Sequence, residues 1–147
     1  MVREAIEYVI QQTANEKYDV ILGFSQGGTL ATALALSGKF NDVQAIVTAG
    51  APYVPDAFEI ASTLRAEFNE NGPNVECLGL EIPKLHMAGE NDALVAADST
   101  RQLCEIGGNG EFILHDQGHL FPTRSARVKE VLDFLEKSLN NGQIRGR

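Results

Sequence analysis

Two apolar rhythms alternate along this chain. Val2, Ile6, Val9 and Thr13 recur at helical spacing with Arg3, Glu4, Glu7 and Gln11 between them, which predicts an amphipathic helix over 2–16. The unbroken run YDVILGF predicts a buried strand over 19–24. GGTLATALALSGKF reads as a helix with Leu30, Ala31, Leu34 and Ala35 on one face and Gly38 as its stop. VQAIVTAG predicts a second strand over 43–49. A loop then leads into a helix from Asp56 to Glu70, ended by Gly72 and Pro73. A third strand is expected over 83–88, a helix from Asp98 to Glu105 and a fourth strand over 111–115. The last helix, in SARVKEVLDFLEKSL, carries a stripe of Val128, Val131, Leu132, Leu135 and Leu139, with Ser125 as N-cap. The tail 140–147 is expected to fray.

Buried strands alternating with helices imply an α/β fold with a parallel sheet covered on both faces. Crossovers of one hand bring the C-terminal ends of such strands to one edge, where ligands bind. The polar residues just after each strand therefore carry most of the functional information.

After the first strand comes Gly23-Phe24-Ser25-Gln26-Gly27-Gly28. A serine in a sharp strand-to-helix turn is a nucleophile elbow, and the flanking glycines would spare a clash with strand and helix. The helix behind it points N–H groups and a positive dipole end at the serine, with the Gln26 N–H as one oxyanion donor. GENDALV follows the third strand. Asp92 is the expected acid, with Glu90 close to the strand and Asp98 resembling a helix cap. HDQGHLFP follows the fourth, and its His119 lies on a loop able to reach back toward Ser25. His115 falls at the strand end and His86 within the third strand, so both read as packed residues. The His115–His119 spacing suits a metal, but Gly118 interrupts any helix there and no third ligand is evident, so no metal is expected. Ser25, Asp92 and His119 follow the chain order and strand-end placement of an α/β-hydrolase triad.

Composition removes other readings. A net charge of −8 over 147 residues gives no basic patch for nucleic acid and no attraction to anionic lipid. No apolar run is long enough for a membrane span, and the N-terminus does not read as a signal peptide. Two cysteines, Cys77 and Cys104, form no framework, so a reducing, cytoplasmic setting is expected. A nucleotide-binding fold would explain the glycines, but the chain lacks a Lys after them and the dinucleotide fingerprint.

The blocks YDVILGFSQGGTLATALA, IPKLHMAGENDALV and HDQGHLFP resemble the serine hydrolase family called FSH, homologues of an ovarian-cancer-associated hydrolase. The Gly23-Phe24-Ser25-Gln26-Gly27 segment also resembles acyl-protein thioesterases and related carboxylesterases; the Leu85-His86 pair and the Gly118, His119, Pro122 ending favour FSH. The resemblance implies an α/β-hydrolase three-layer sandwich with a mainly parallel sheet. It implies Ser25 as nucleophile, Asp92 as acid and His119 as base, acting on short to medium acyl esters or thioesters without a cofactor. Phe24, Val54, Phe58 and Leu120 are the expected acyl contacts, and segment 50–72 a small cap. Gln117 departs from the family's usual pair of glycines before the histidine. Strands that normally precede the elbow, and the loop supplying a second oxyanion donor, are not found. The chain therefore reads as a single, incomplete C-terminal part of a hydrolase domain, with a second copy or a partner chain expected to cover the open edge of the first strand. The competing reading is an inactive binding or assembly module that uses this edge.

Overall fold

The computed structural model describes residues 1–40, 42–70 and 78–145. The elements are α1 (Val2–Thr13), β1 (Val20–Phe24), α2 (Gln26–Leu36), β2 (Ala45–Ala49), α3 (Pro55–Glu70), α4 (Leu78–Glu81), β3 (Lys84–Gly89), α5 (Ala97–Gly107), β4 (Gly110–His115) and α6 (Ser125–Arg145). The strands pair in parallel in the sequential order β1-β2-β3-β4. Val47 of β2 stands beside Leu22 of β1 and Leu85 of β3. In this sheet β1 is an edge strand, as the sequence implies.

Alternation along the strands builds two cores. On one face Ile46 packs with Ala31 and Ala35 of α2 and with Val43 and Ile82. Beyond α2, Ile6 of α1, Leu64 and Phe58 of α3 and Leu103 of α5 complete the helical layer. On the other face Val47, Ala49, Leu85 and Met87 pack against Phe134 of α6. Alanines and threonines let α2 lie close to its neighbours, and it is buried on nearly every side.

Several boundaries differ from expectation for local reasons. α1 ends at Thr13 rather than residue 16, where the Thr13 hydroxyl donates back to the Val9 carbonyl and no further apolar residue extends the buried face. α5 starts at Ala97 with Ala96 as N-cap, so Asp98 lies in the first turn, near the helix dipole, rather than capping it. In α6 the Arg124 carbonyl accepts from the Arg127 and Val128 N–H groups, which gives Arg124 the cap position expected of Ser125. The buried face of α6 centres on Phe134, with Val131 and Leu135 beside it, whereas Val128 and Leu132 of the expected stripe are exposed. Its backbone stays helical to Arg145, into the tail expected to fray. The short α4 carried no periodicity to predict it. Gly72, Pro73 and Cys77 lie outside the described residues.

Candidate active site

The turn between β1 and α2 is shaped by space. A Cβ on Gly23 would lie 2.5 Å from the Gly28 Cα, and one on Gly28 would lie 2.6 Å from the Ala51 Cβ. Gly27 has nothing within 4 Å of such an atom, so the pair that the fold requires is Gly23 and Gly28, not the two glycines flanking Ser25. Between them Ser25 takes φ 52° and ψ −128°, a costly backbone for a residue with a Cβ. Its N–H donates to the Ala49 carbonyl at 2.9 Å, anchoring the turn to the end of β2. Ser25 stands at the N-cap position yet makes no side-chain capping bond, which leaves its hydroxyl uncommitted to the helix. Gln26 begins α2, in the first turn whose N–H groups have no preceding helical carbonyl.

The loops after β3 and β4 bring an acid and an imidazole together. His119 Nδ1 lies 2.7 Å from Asp92 Oδ2, and the Asp92 side chain is 1% exposed against 16% for His119. The other carboxylate oxygen accepts the N–H groups of Leu94 and Val95, each at 2.8 Å. Burial alone would raise the Asp92 pKa. The bonds from Val95, His119 and Leu94 outweigh it and hold the carboxyl below its ordinary range. Asp92 is thus kept ionised, with one carboxylate oxygen facing the Nδ1 edge of the His119 ring. Glu90 is exposed, and its backbone N–H donates to the His115 carbonyl.

Gly50 is a component that pattern reading did not single out. It has φ +57°, and a Cβ there would lie 2.9 Å from His119 Nδ1 and 3.3 Å from Asp92 Oδ2. It directly follows Ala49, the residue that holds Ser25, so one stretch of backbone contacts both the elbow and the acid–imidazole pair. Three hydroxyls steady the next residues: Thr29 donates to the Pro52 carbonyl, Thr100 donates to the Ala51 carbonyl, and Ser99 accepts from the Tyr53 N–H. The available signal was position, since Gly50-Ala51-Pro52 leaves a strand at the same edge as the other loops.

The four expected acyl contacts divide. The Phe24 ring lies 4.8 Å from that of His119 and 6.0 Å from that of Phe121, and Phe24 is partly exposed. Leu120 adjoins His119, its N–H donating to the Gly118 carbonyl. Phe58 is buried in the helical core, 5.3 Å from Tyr53, and Val54 packs against the same cluster. His115 is buried at the end of β4, and His86 is buried with Nδ1 2.8 Å from the Thr48 hydroxyl. Among the described residues no three His, Cys, Asp or Glu side chains group as metal ligands would, and no helix is long and apolar enough to cross a membrane.

Known proteins share both sequence and fold with this chain. Esterase OVCA2 of Danio rerio is 32% identical over 123 residues, which cover 80% of this chain and 48% of that protein. Esterase OVCA2 of Bos taurus is 27% identical and covers 91% of this chain and 56% of its own length. The chain thus spans about half the length of these relatives. Among solved structures, Zea mays acyl-protein thioesterase 2 superposes with a TM-score of 0.63 at 19% identity, covering 94% of this chain and 64% of that one. The enol-lactonase of Burkholderia xenovorans LB400 gives 0.62 at 15% identity, covering 92% and 73%. The fold is that of the α/β-hydrolases. The serine hydrolase (FSH1) family matches residues 1–131, and the chain belongs to that family.

Proposed function

We propose that the chain is a serine hydrolase that cleaves a carboxylic ester or thioester through Ser25, His119 and Asp92. The 2.7 Å contact between His119 and Asp92, beside the Ser25 elbow, is the observation that carries this reading. A serine hydroxyl is a weak nucleophile at neutral pH. With Nδ1 turned to Asp92, His119 Nε2 takes the hydroxyl proton as Ser25 Oγ bonds to the acyl carbon. The carbonyl oxygen becomes an oxyanion, facing the Gln26 N–H and the dipole of α2. As the bond to the leaving alcohol or thiol breaks, His119 returns the proton to it. Water then attacks the acyl-serine by the same steps in reverse roles, and free acid departs. Phe24 and Leu120 border the acyl group, and no cofactor is required.

The thioester alternative rests on the likeness to an acyl-protein thioesterase. The setting is proposed to be cytoplasmic, in keeping with a chain that carries two cysteines and no disulfide framework. The test is fluorophosphonate labelling of the purified chain beside Ser25→Ala, followed by hydrolysis of acyl esters and thioesters of graded length. Labelling that disappears in the variant supports the assignment; a folded wild-type chain that does not label rejects it. One observation favours a second reading, a binding module without catalysis: β1 leaves an edge open and Leu22 is 64% exposed on it.

A further inference from the structure

The imidazole of His119 is held from the side by Asp92, Phe24 and Gly50, but its backbone belongs to a loop with no regular structure between β4 and α6. Such a loop needs bonds of its own to keep a base in register. The structure places them in two layers. Beneath, the acid's loop is tied to the base's loop. Asn91 Nδ2 donates to the Asp116 carbonyl at 2.8 Å, the Asn91 N–H donates to the Gln117 carbonyl at 3.3 Å, and the Glu90 N–H donates to the His115 carbonyl at 2.7 Å. Across the loop, two side-chain links join its flanks. Arg124 pairs with Asp116 at 2.5 Å. Inside that pair, Gln117 Oε1 accepts the Thr123 N–H at 3.2 Å and Gln117 Nε2 donates to the Thr123 hydroxyl at 3.4 Å.

The inner link encloses residues 118–122, with His119 among them. It acts on both sides of Gly118, the residue with the widest backbone freedom next to the base. The Thr123 backbone N–H can only donate, so it fixes which way the Gln117 amide faces. Gln117 also donates its own N–H to His115 Nδ1 at 3.3 Å, and His115 is buried. One residue thereby contacts the end of β4, the acid's loop and the far flank of the base's loop.

We propose that Gln117 is a positioning residue for His119: its side-chain clasp on Thr123 sets where the imidazole stands. This rests on His119 acting as the base. Gln117→Ala removes the clasp without adding a glycine's freedom. Gln117→Glu keeps an oxygen for the Thr123 N–H and for its hydroxyl, and serves as the conservative rescue. In Gln117→Ala the rate constant for fluorophosphonate labelling falls about tenfold, short of the ~10²–10⁴-fold that a positioned base contributes. For hydrolysis the loss lies in kcat with KM unchanged, Gln117→Glu recovers most of it, and Thr123→Val adds little once the clasp is gone.

A second readout does not need turnover. The proton on His119 Nδ1, held by Asp92, gives a slowly exchanging downfield proton resonance in the wild type, and it broadens in Gln117→Ala and sharpens again in Gln117→Glu. Labelling and resonance both unchanged in Gln117→Ala would overturn the proposal, as would a loss that Gln117→Glu fails to restore. A wild-type chain that does not label, while Gln117→Ala still broadens the resonance, would remove the hydrolase reading and keep the positioning role.

Discussion

A methyl group added at Gly50 would meet His119 Nδ1 at 2.9 Å on a backbone with φ +57°, so space and conformation both oppose it. Gly50→Ala is expected to lower labelling and hydrolysis by about 10²-fold through displacement of the imidazole. A stability loss of about 1–2 kcal/mol, read by urea denaturation, should accompany it. Asp92→Asn leaves the shape and removes the charge that fixes the ring's tautomer. Its kcat should fall by about 10³–10⁴-fold with little change in KM. The strand-end placement of Ser25, Asp92 and His119 was legible because each follows an apolar run that reads as a strand. Gly50 was not, since its part is to be small against two residues far away in sequence. The clasp of Gln117 on Thr123 was equally hidden: a departure from a familiar motif shows that something changed, not what the new side chain grips.

Among the elements, β2 and β3 are joined by a side-chain bond as well as by their ladder. His86 Nδ1 lies 2.8 Å from the Thr48 hydroxyl, fully buried, and its Nε2 has no partner among the described residues. Burial, with the Lys84 charge adding to it, pushes the His86 pKa from 6.5 down to about 4. Burial moves His115 the same way. The unfolded chain takes up these protons as pH falls below about 6.5, and the folded chain takes none at His86 until about pH 4. Stability therefore falls across that window as acid is added, at up to ~1.4 kcal/mol per pH unit for His86, and His115 acts in the same direction. Urea titrations at pH 7 and pH 5 should show it, and His86→Gln should flatten the slope. The strands and long helices were readable as apolar runs and helical stripes. The inward face of α6 was readable only in part: Val131 and Leu135 of the expected stripe lie on it, but Phe134 and Leu132 look alike in a hydropathy pattern and only the position of the sheet separates the buried one from the exposed one. α4 was missed for want of length.

On the scale of the whole molecule, the four-stranded sheet has two edges, β1 and β4, and β1 carries the more exposed apolar side chain, Leu22. Val20 packs on the α6 face, so Leu22 and Phe24 share that face by alternation, and both are exposed. An apolar edge strand of this kind invites another strand. Sedimentation velocity over a range of concentrations is expected to show association. Leu22→Lys, a charge of the sort that blunts natural edges, should suppress it; unchanged association in that variant would place the contact elsewhere. The sequential strand order has a further consequence, in time rather than space. Neighbouring strands leave the ribosome one after another, and the elbow of Ser25 can dock on Ala49 as soon as β2 is made. At ~5–20 residues per second, His119 is added roughly 5–20 s after Ser25. During that interval a nascent chain displays Ser25 without His119, and for most of it without Asp92. On the proposed roles, the order of synthesis thus withholds the base from Ser25 until the four strands of this sheet have been made.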